Sequence, residues 1–283
     1  MLYSKFLLVI IGLLFHYLVF SAQVDIDCDH LPQPLQQIID DIPEDSMIKF
    51  YGTCHEPIKI KKDRLSILGM FGAKFVLSQN NYCGIAISGR QIEINRITIF
   101  GGESGIVVYR SGSLNISDSR ILNPNSIGVE VTGSSYARIT QTEIINSHRN
   151  GIVVRLSSSA DIHANTINRN KGYAIVIDNS SADIDGNIIS ENNRYGIYLR
   201  DCSKIRLGGD NASGEGNIFY GNLIGGIRCE SNSTIEIRAD QKFDTDKNNY
   251  DLSDSCVLRN TINDPIENYG VSNRDLASLS ADH

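Results

Sequence analysis

The 283-residue sequence contains no tryptophan, only six prolines, and fewer basic than acidic residues. Lys and Arg number 26 against 33 Asp and Glu, which gives a formal net charge of −7 at pH 7. Proteins that bind nucleic acid need clustered Lys and Arg to neutralise phosphates. The composition therefore argues against a nucleic-acid partner.

Long hydrophobic runs are confined to the start of the chain. Lys5 precedes a largely apolar run, Phe6–Phe20, and the small residues Ser21 and Ala22 follow it. This pattern predicts a signal peptide over residues 1–22 and a secreted or periplasmic protein. The run has 15 residues, fewer than the ~20 that span a bilayer, although an uncleaved anchor stays open. No later run is long enough to cross a membrane.

The six cysteines are too few to form a disulfide scaffold in a chain of this length. An even number is nevertheless compatible with disulfides in an exported protein. We expect Cys28 to pair with Cys54, because the two flank a predicted N-terminal cap. Pairing stays open for Cys83, Cys202, Cys229 and Cys256, and buried free thiols are an equal alternative for Cys83 and Cys229.

One four-residue phrase recurs seven times between Gly84 and Cys229, as GIAI, GIVV, GVEV, GIVV, AIVI, GIYL and GIRC. Most steps between phrases are 21 to 23 residues, and the last is 30. Repetition at such a period indicates a solenoid, in which each coil buries its apolar face against the next. Uneven steps exclude a strict hexapeptide repeat, and the L-x-x-L-x-L pattern of leucine-rich repeats is absent.

Each repeat contains three short runs typical of β-strands, such as Ile152–Val154, Ala160–His163 and Thr166–Ile167. Apolar residues alternate within the runs, and Ser, Asn and Gly separate them. The pattern predicts an all-β fold, a parallel β-helix solenoid of about seven coils with three parallel sheets. At one turn Thr142, Asn165 and Asn187 align, which predicts a side-chain ladder.

Outside the repeats, Leu35, Ile38, Ile39 and Ile42 follow helical spacing and predict a short N-terminal cap helix. Such a cap would cover the apolar end of the solenoid. We therefore expect four parts: a signal peptide (1–22), a cap with first strands (23–62), the β-helix (63–240), and a C-terminal cap with a polar tail (241–283).

The coil from Gly151 to Asn170, "GIVV…SSSADI…NTI…N", recurs from Ala174 to Asn192. With "IRLGGDNASGEGNIFYGNLIGG" and "IKFYGTCHEPIKI", it resembles the right-handed parallel β-helix proteins of the pectate-lyase-like superfamily. The resemblance covers about residues 24–240 and implies a right-handed coil with an N-terminal entry segment whose cysteine, Cys54, pairs upstream.

Members of that superfamily include pectate and alginate lyases, polygalacturonases, uronate epimerases, adhesins and periplasmic accessory proteins. The Asp pair with G-H-G of polygalacturonases and the D-P-H-D of alginate epimerases are both absent here. No catalytic residue of the family can therefore be carried over, and fold alone does not supply function.

The outward residues of the first predicted sheet form a candidate platform for an acidic polysaccharide. Arginines there can contact carboxylates, and tyrosines can pack on sugar faces. The candidate substrate-binding residues are Tyr109, Glu130, Arg155, Asp178, Tyr198 and Arg200. Two alternatives stay open: charge alternation along Arg155, Asp178, Arg200 and Glu230 that only stabilises the sheet, or an apolar stripe (Val107, Val153, Val176, Tyr198) covered by the C-terminal tail or a partner.

The second predicted sheet places Asp161 directly beside Asp183, ~5 Å away on the spacing of strands. Such a pair binds a cation or raises one pKa, so Ca²⁺ is the one cofactor considered. The candidate catalytic residues are Asp161, His163, Asp183 and Asp185. The alternative is plain neutralisation by Arg138 and Lys204 in the same column, with Arg206 expected beside Asp185.

Together these patterns predict an exported β-helix protein that binds an extended, acidic polysaccharide or cell-envelope glycan along its outer sheet face. Whether it also processes the glycan, as a lyase, epimerase or hydrolase, stays open. The alternative is a non-catalytic surface or periplasmic scaffold whose ordered charges stabilise the rod. No oligomeric state follows from the sequence.

Overall fold

A computed structural model of the chain describes residues 22–78, 82–208, 216–239, 241–243 and 248–260. The predicted signal peptide lies outside the described residues except for Ala22, and so do residues 261–283 of the predicted C-terminal part. The elements are numbered α1 and β1–β29 in chain order.

The described residues form three parallel sheets. Sheet 1 has nine strands, sheet 2 has eleven and sheet 3 has nine. Sheet 1 contains, in spatial order, β4 (Ile58–Ile60), β7 (Cys83–Ile87), β10 (Ser104–Val108), β13 (Val129–Thr132), β16 (Ile152–Arg155), β19 (Ile175–Asp178), β22 (Tyr195–Arg200), β25 (Gly225–Cys229) and β28 (Asn248–Leu252).

Sheet 2 contains β1 (Gln23–Asp27), β2 (Met47–Tyr51), β5 (Ser66–Gly69), β8 (Ile92–Asn95), β11 (Ser113–Ser117), β14 (Tyr136–Thr140), β17 (Ser159–His163), β20 (Ser181–Asp185), β23 (Lys204–Leu207), β26 (Thr234–Ile237) and β29 (Val257–Asn260). Sheet 3 contains β3 (Thr53–Cys54), β6 (Lys74–Leu77), β9 (Thr98–Gly101), β12 (Arg120–Leu122), β15 (Glu143–Ile145), β18 (Thr166–Asn168), β21 (Ile188–Ser190), β24 (Ile218–Tyr220) and β27 (Lys242–Phe243).

Consecutive strands of one sheet are a whole coil apart in sequence, as a parallel β-helix requires. The predicted number of about seven coils was too low, since nine to eleven strands per sheet correspond to about ten turns. The additional turns lie at both ends, where strands such as β4 and β28 join sheet 1 without the glycine-led phrase.

The apolar interior follows the predicted columns of sheet 1. Ile106 is in register with Ile85 on one side and with Val129 on the other, and all three are fully buried. Burying one such side chain contributes roughly 1.5–3 kcal/mol. Each coil is therefore held mainly by its interior.

The glycine that opens each phrase sits at a crowded corner. A Cβ on Gly151 would lie 2.6 Å from the carbonyl oxygen of Ala174 and 2.7 Å from Cγ2 of Ile167. Backbone of the next coil thus approaches too closely for a side chain at this corner. This packing explains why the repeat is marked by glycine.

Side-chain ladders close the corners between sheets. The predicted ladder is confirmed: the backbone N–H of Thr142 donates to Oδ1 of Asn165 at 2.9 Å, and that of Asn165 donates to Asn187 at 2.9 Å. It continues to Asn217 and Gln241. At the corner between sheets 3 and 1 a second ladder, missed from the sequence, joins Ser147, Asn170, Asn192 and Asn222.

The register of sheet 2 differs from the sequence prediction at one strand. Ile184 pairs with Leu207 and Asp183 pairs with Arg206, so β23 is displaced by two residues from the predicted alignment. A serine ladder sets this register, because the N–H of Ser180 donates to Oγ of Ser203. The placement of Lys204 beside Asp183 and of Arg206 beside Asp185 was therefore wrong.

The predicted cap helix is confirmed as α1 (Leu35–Asp41), whose Leu35 and Ile39 are buried. Its Gln36 donates from Nε2 to the carbonyl oxygen of Lys59 at 3.0 Å and accepts from the Lys59 N–H at 2.7 Å. These two bonds occupy backbone groups of β4, the terminal strand of sheet 1. The cap therefore blunts an edge that would otherwise recruit another strand.

Two disulfides link neighbouring turns. Cys28 pairs with Cys54, as expected, and Cys229 pairs with Cys256. Cys83 is a buried free thiol and Cys202 an exposed one. Disulfides are typical of proteins in oxidising compartments. Within the described part of the chain, no helix has the length and apolar character needed to cross a membrane.

The Asn192 side chain tests the second ladder. It accepts from the N–H of Asn170 and donates to the carbonyl oxygen of Ile167, both in the buried corner. Replacement by alanine should lower the free energy of unfolding by about 2–4 kcal/mol, because each buried polar group left without a partner costs about 1–3 kcal/mol.

Urea denaturation followed by circular dichroism measures this effect. The matched control is Asn193→Ala, one residue along the same turn but exposed. Equal stability of the two variants would contradict a structural role for the ladder.

Candidate functional site

A cavity of about 800 Å³ lies on the outer face of sheet 1, next to the cap helix. It spans strands β4 to β16. Three of the predicted substrate-binding residues line it, Tyr109, Glu130 and Arg155. We call this cavity the cleft.

The floor of the cleft belongs to one outward-facing column of sheet 1. In register, this central column reads Lys59, Ala86, Val107, Glu130, Val153, Val176, Tyr198 and Arg228. Ala86 and Val107 are only 5% and 6% exposed although they point away from the interior. Small apolar side chains recessed between taller neighbours give a depression that can bury a ligand.

Glu130 is the acidic group of the floor. Only 5% of the residue is exposed, and Val107 and Val153 are its neighbours on the adjacent strands. Its Oε1 atom forms an ion pair with the guanidinium of Arg155 but no aligned hydrogen bond. A buried carboxylate is stable only when paired, so Arg155 keeps Glu130 in place.

The sides of the cleft carry aromatic rings and cations. Tyr82 is 76% exposed and Tyr109 is half-buried, and both contribute to the lining. The Arg110 guanidinium lies 5.7 Å from the Tyr109 ring centroid, within range of a cation–π interaction. Lys59 stands at the end nearest the cap and Arg155 at the opposite end.

The Cys83 thiol also lines the cleft. Burial raises its pKa, Lys59 lowers it by its positive charge, and Glu130 raises it by its negative charge. The net shift is upward, so the thiol stays protonated at neutral pH and is a weak nucleophile.

The other predicted substrate-binding residues lie farther along the same face, outside the cleft. Asp178 is in register with Arg155 and with Arg200, so the predicted column is confirmed. The Arg200 guanidinium hydrogen-bonds Asp178, and this contact raises the pKa of the arginine. Arg155 forms its ion pair with Glu130. The alternation of charges along the predicted column had instead implied a pair between Arg155 and Asp178.

Tyr198 forms part of a tyrosine cluster. Its ring stacks on Tyr173 with centroids 4.7 Å apart, and its hydroxyl donates to Glu230 at 3.0 Å. The Arg194 guanidinium lies 5.4 Å from the Tyr173 centroid and donates to the Tyr173 hydroxyl at 3.2 Å. Tyr173 is thus engaged by both Tyr198 and Arg194.

Sheet 2 carries the predicted catalytic residues. Asp161 and Asp183 are in register on adjacent strands and line a second cavity of about 350 Å³. Tyr136 donates its hydroxyl to Asp161 at 2.7 Å, and burial together with that bond raises the pKa of Tyr136 to about 12. Arg206 hydrogen-bonds both oxygens of Asp183.

Neutralisation of the aspartate pair therefore comes from arginines on both sides. Arg138 lies 3.6 Å from Asp161, and Arg206 forms a bidentate pair with Asp183. His163 and Asp185 occupy the next outward column, where Nδ1 of His163 lies 2.7 Å from Oδ2 of Asp185. The four residues thus share one face but form two separate pairs.

Among the residues that the structure describes, no group of three or more His, Cys, Asp or Glu side chains is arranged to hold a metal ion. The oxygens of Asp183 are engaged by Arg206, and Asp161 accepts from Tyr136. Ca²⁺ binding and catalysis at these residues stay predictions.

A family model described as "right handed beta helix region" matches residues 83–242, more than half of the chain. The chain belongs to the right-handed β-helix family. No curated protein matches it.

Two solved structures place this β-helix among known folds. The enzymatically active domain of bacteriophage CBA120 tailspike protein 2 is 14% identical with a TM-score of 0.57, covering 85% of this chain and 47% of that domain. This chain thus spans about half the length of that domain. Alginate lyase from Paenibacillus sp. str. FPU-7 is 12% identical with a TM-score of 0.51, covering 83% and 99% of the two chains. Structural similarity at such low sequence identity shows that the fold is shared.

Sequence reasoning on this β-helix missed Lys59 and Tyr82, because both lie before the first glycine-led phrase. It also missed Tyr173, which directly precedes a phrase and stacks on Tyr198. The signal for Tyr173 was present, since the polar turn there ends with an aromatic residue.

The register of β23 can be tested through Arg206. Arg206→Gln should lower the free energy of unfolding by about 1 kcal/mol, because Asp161 and Asp183 then face each other with one cation fewer. Lys204→Gln removes only the pair of the exposed Lys204 ammonium with Glu236, 3.6 Å away, and should cost about 0.3 kcal/mol or less.

Urea denaturation in low salt measures both variants, and the difference should shrink in 1 M salt, where charges are screened beyond ~3 Å. A larger loss for Lys204→Gln would favour the register expected from the sequence.

Proposed function

We propose that this β-helix is an exported protein that binds an extended, acidic polysaccharide on the outer face of sheet 1, with the cleft as its main contact. The observation that carries the proposal is the cleft itself, an 800 Å³ recess with an apolar floor and tyrosine sides. Pockets that bind organic ligands combine such surfaces with a few placed polar groups.

The charges of the cleft favour an anionic ligand. Lys59 and Arg155 mark its two ends, four strand steps apart, or about 19 Å at the spacing of β-strands. Glu130 offsets one of the two positive charges. The cleft is thus positive on a chain whose net charge is −7. An anionic polymer is therefore attracted to the cleft and weakly repelled by the rest of the surface.

The ring faces favour a carbohydrate among anionic ligands. The exposed ring of Tyr82 and the half-buried ring of Tyr109 offer flat apolar surface at the sides of the cleft. Sugar rings present C–H faces that pack on tyrosine while their hydroxyls stay hydrated. The similar fold of a protein named as an alginate lyase agrees with this class of ligand, but the cleft carries the argument.

Affinity electrophoresis in gels containing alginate, polygalacturonate or the neutral polymer dextran tests the proposal. We expect retardation by an acidic polymer and none by dextran. Lys59→Ala should weaken binding about tenfold, which corresponds to about 1.4 kcal/mol. Arg155→Ala should weaken it at least as much, although it also leaves Glu130 unpaired.

The matched control is Arg120→Ala on sheet 3, where Arg120 pairs with Glu143 at 2.7 Å and is similarly exposed. It should migrate as the unmodified protein does. Unchanged retardation of the Lys59 and Arg155 variants would overturn the proposed cleft. Release of unsaturated or shortened sugars, with or without Ca²⁺, would add processing to binding.

Export is tested on the expressed 283-residue chain. We expect the mature protein to begin at Gln23, because the small residues Ser21 and Ala22 follow the apolar run. N-terminal sequencing of the protein recovered outside the cytoplasm gives the answer. A retained Met1 in an extracytoplasmic fraction would instead favour an uncleaved anchor.

A further inference from the structure

We infer that the cleft receives the end of a glycan chain rather than an internal stretch of it. This inference rests on the proposed function and adds the part of the polymer that is recognised. It follows from the position of the cleft at the capped end of sheet 1.

The cleft is closed on the side of the cap. Gln36 of α1 and Pro57, which precedes β4, both belong to its lining. Gln36 is fixed there by two hydrogen bonds to the backbone of Lys59. A polymer that lies over the central column and runs toward β4 therefore meets the cap helix and the Pro57 turn.

In the opposite direction the sheet face continues. Beyond the Glu130–Arg155 pair the central column consists of Val153 and Val176, each 7% exposed, and then reaches Tyr198. These recessed valines prolong the apolar floor past the cleft. A glycan thus has room to continue from the cleft along the sheet, away from the cap.

A recess closed at one end and continuous at the other selects chain ends. The terminal sugar occupies the space between Tyr82 and Tyr109, where the Lys59 ammonium meets a carboxylate of the last unit. Later units follow the valine floor toward Tyr198. Internal units cannot enter to the same depth, because the chain would have to pass through the cap.

The test uses the absence of tryptophan from the sequence. Tyr82→Trp places a single indole at the rim of the cleft, at a position that is 76% exposed and keeps an aromatic ring. The matched control is Tyr220→Trp on the outer face of sheet 3, which is 46% exposed. Both variants are titrated with length-fractionated oligomers of the acidic polymer that retards the protein in gels.

For end binding we expect the Tyr82→Trp fluorescence to saturate at one protein per glycan chain, whatever the chain length. The Tyr220→Trp fluorescence should stay constant. Calorimetric titration of the unmodified protein gives the same stoichiometry without a substitution. Bound protein that increases in proportion to chain length would overturn the inference and leave the proposed function intact. Failure of every acidic polymer to bind would overturn the proposed function itself.

Discussion

Everything in this molecule depends on successive coils stacking in register. Backbone hydrogen bonds join strands that are a full repeat apart, and side-chain ladders repeat the same alignment at the corners. Asn187, for example, accepts from the N–H of Asn165 and donates to the carbonyl oxygen of Ile162. Both partners lie on the preceding coil, so one such residue fixes its own coil against the neighbouring one, because its amide satisfies buried groups there.

Because the coils stack in register, outward-facing residues that are one repeat apart lie side by side and form columns on the surface. A residue that points outward has neighbours of the same column on both adjacent strands, so its exposure depends on them more than on its own strand. Glu130 is the clearest case, an outward carboxylate that is almost completely buried between valines. Burial of this kind makes Arg155 a structural partner of Glu130 as well as a candidate ligand contact.

The cap contributes to the candidate site together with the repeats. Helix α1 protects the edge of β4, and the same helix supplies the closed wall of the cleft through Gln36. A device that prevents edge-to-edge association therefore also shapes the binding surface. Farther along sheet 1, outer side chains pair with one another, as Arg200 does with Asp178.

The sequence by itself determined the class of fold, the interior columns, the Asn165–Asn187 ladder and the common face of Arg155, Asp178 and Arg200. The period of two along a strand decides whether a residue points inward or outward, and the repeat length decides which residues of successive coils become neighbours. Its alignment failed at β23, where matching Ile205 to Ile184 overlooked the serine corner that sets the register.

Only the tertiary structure decided which carboxylate Arg155 pairs with, how deeply Glu130 is buried, and where the sheet face becomes a cleft. Long side chains reach several neighbours of similar charge, and the choice depends on burial and on elements outside the repeat. The cap helix is such an element, since its contact with β4 joins residues more than twenty positions apart and follows no period.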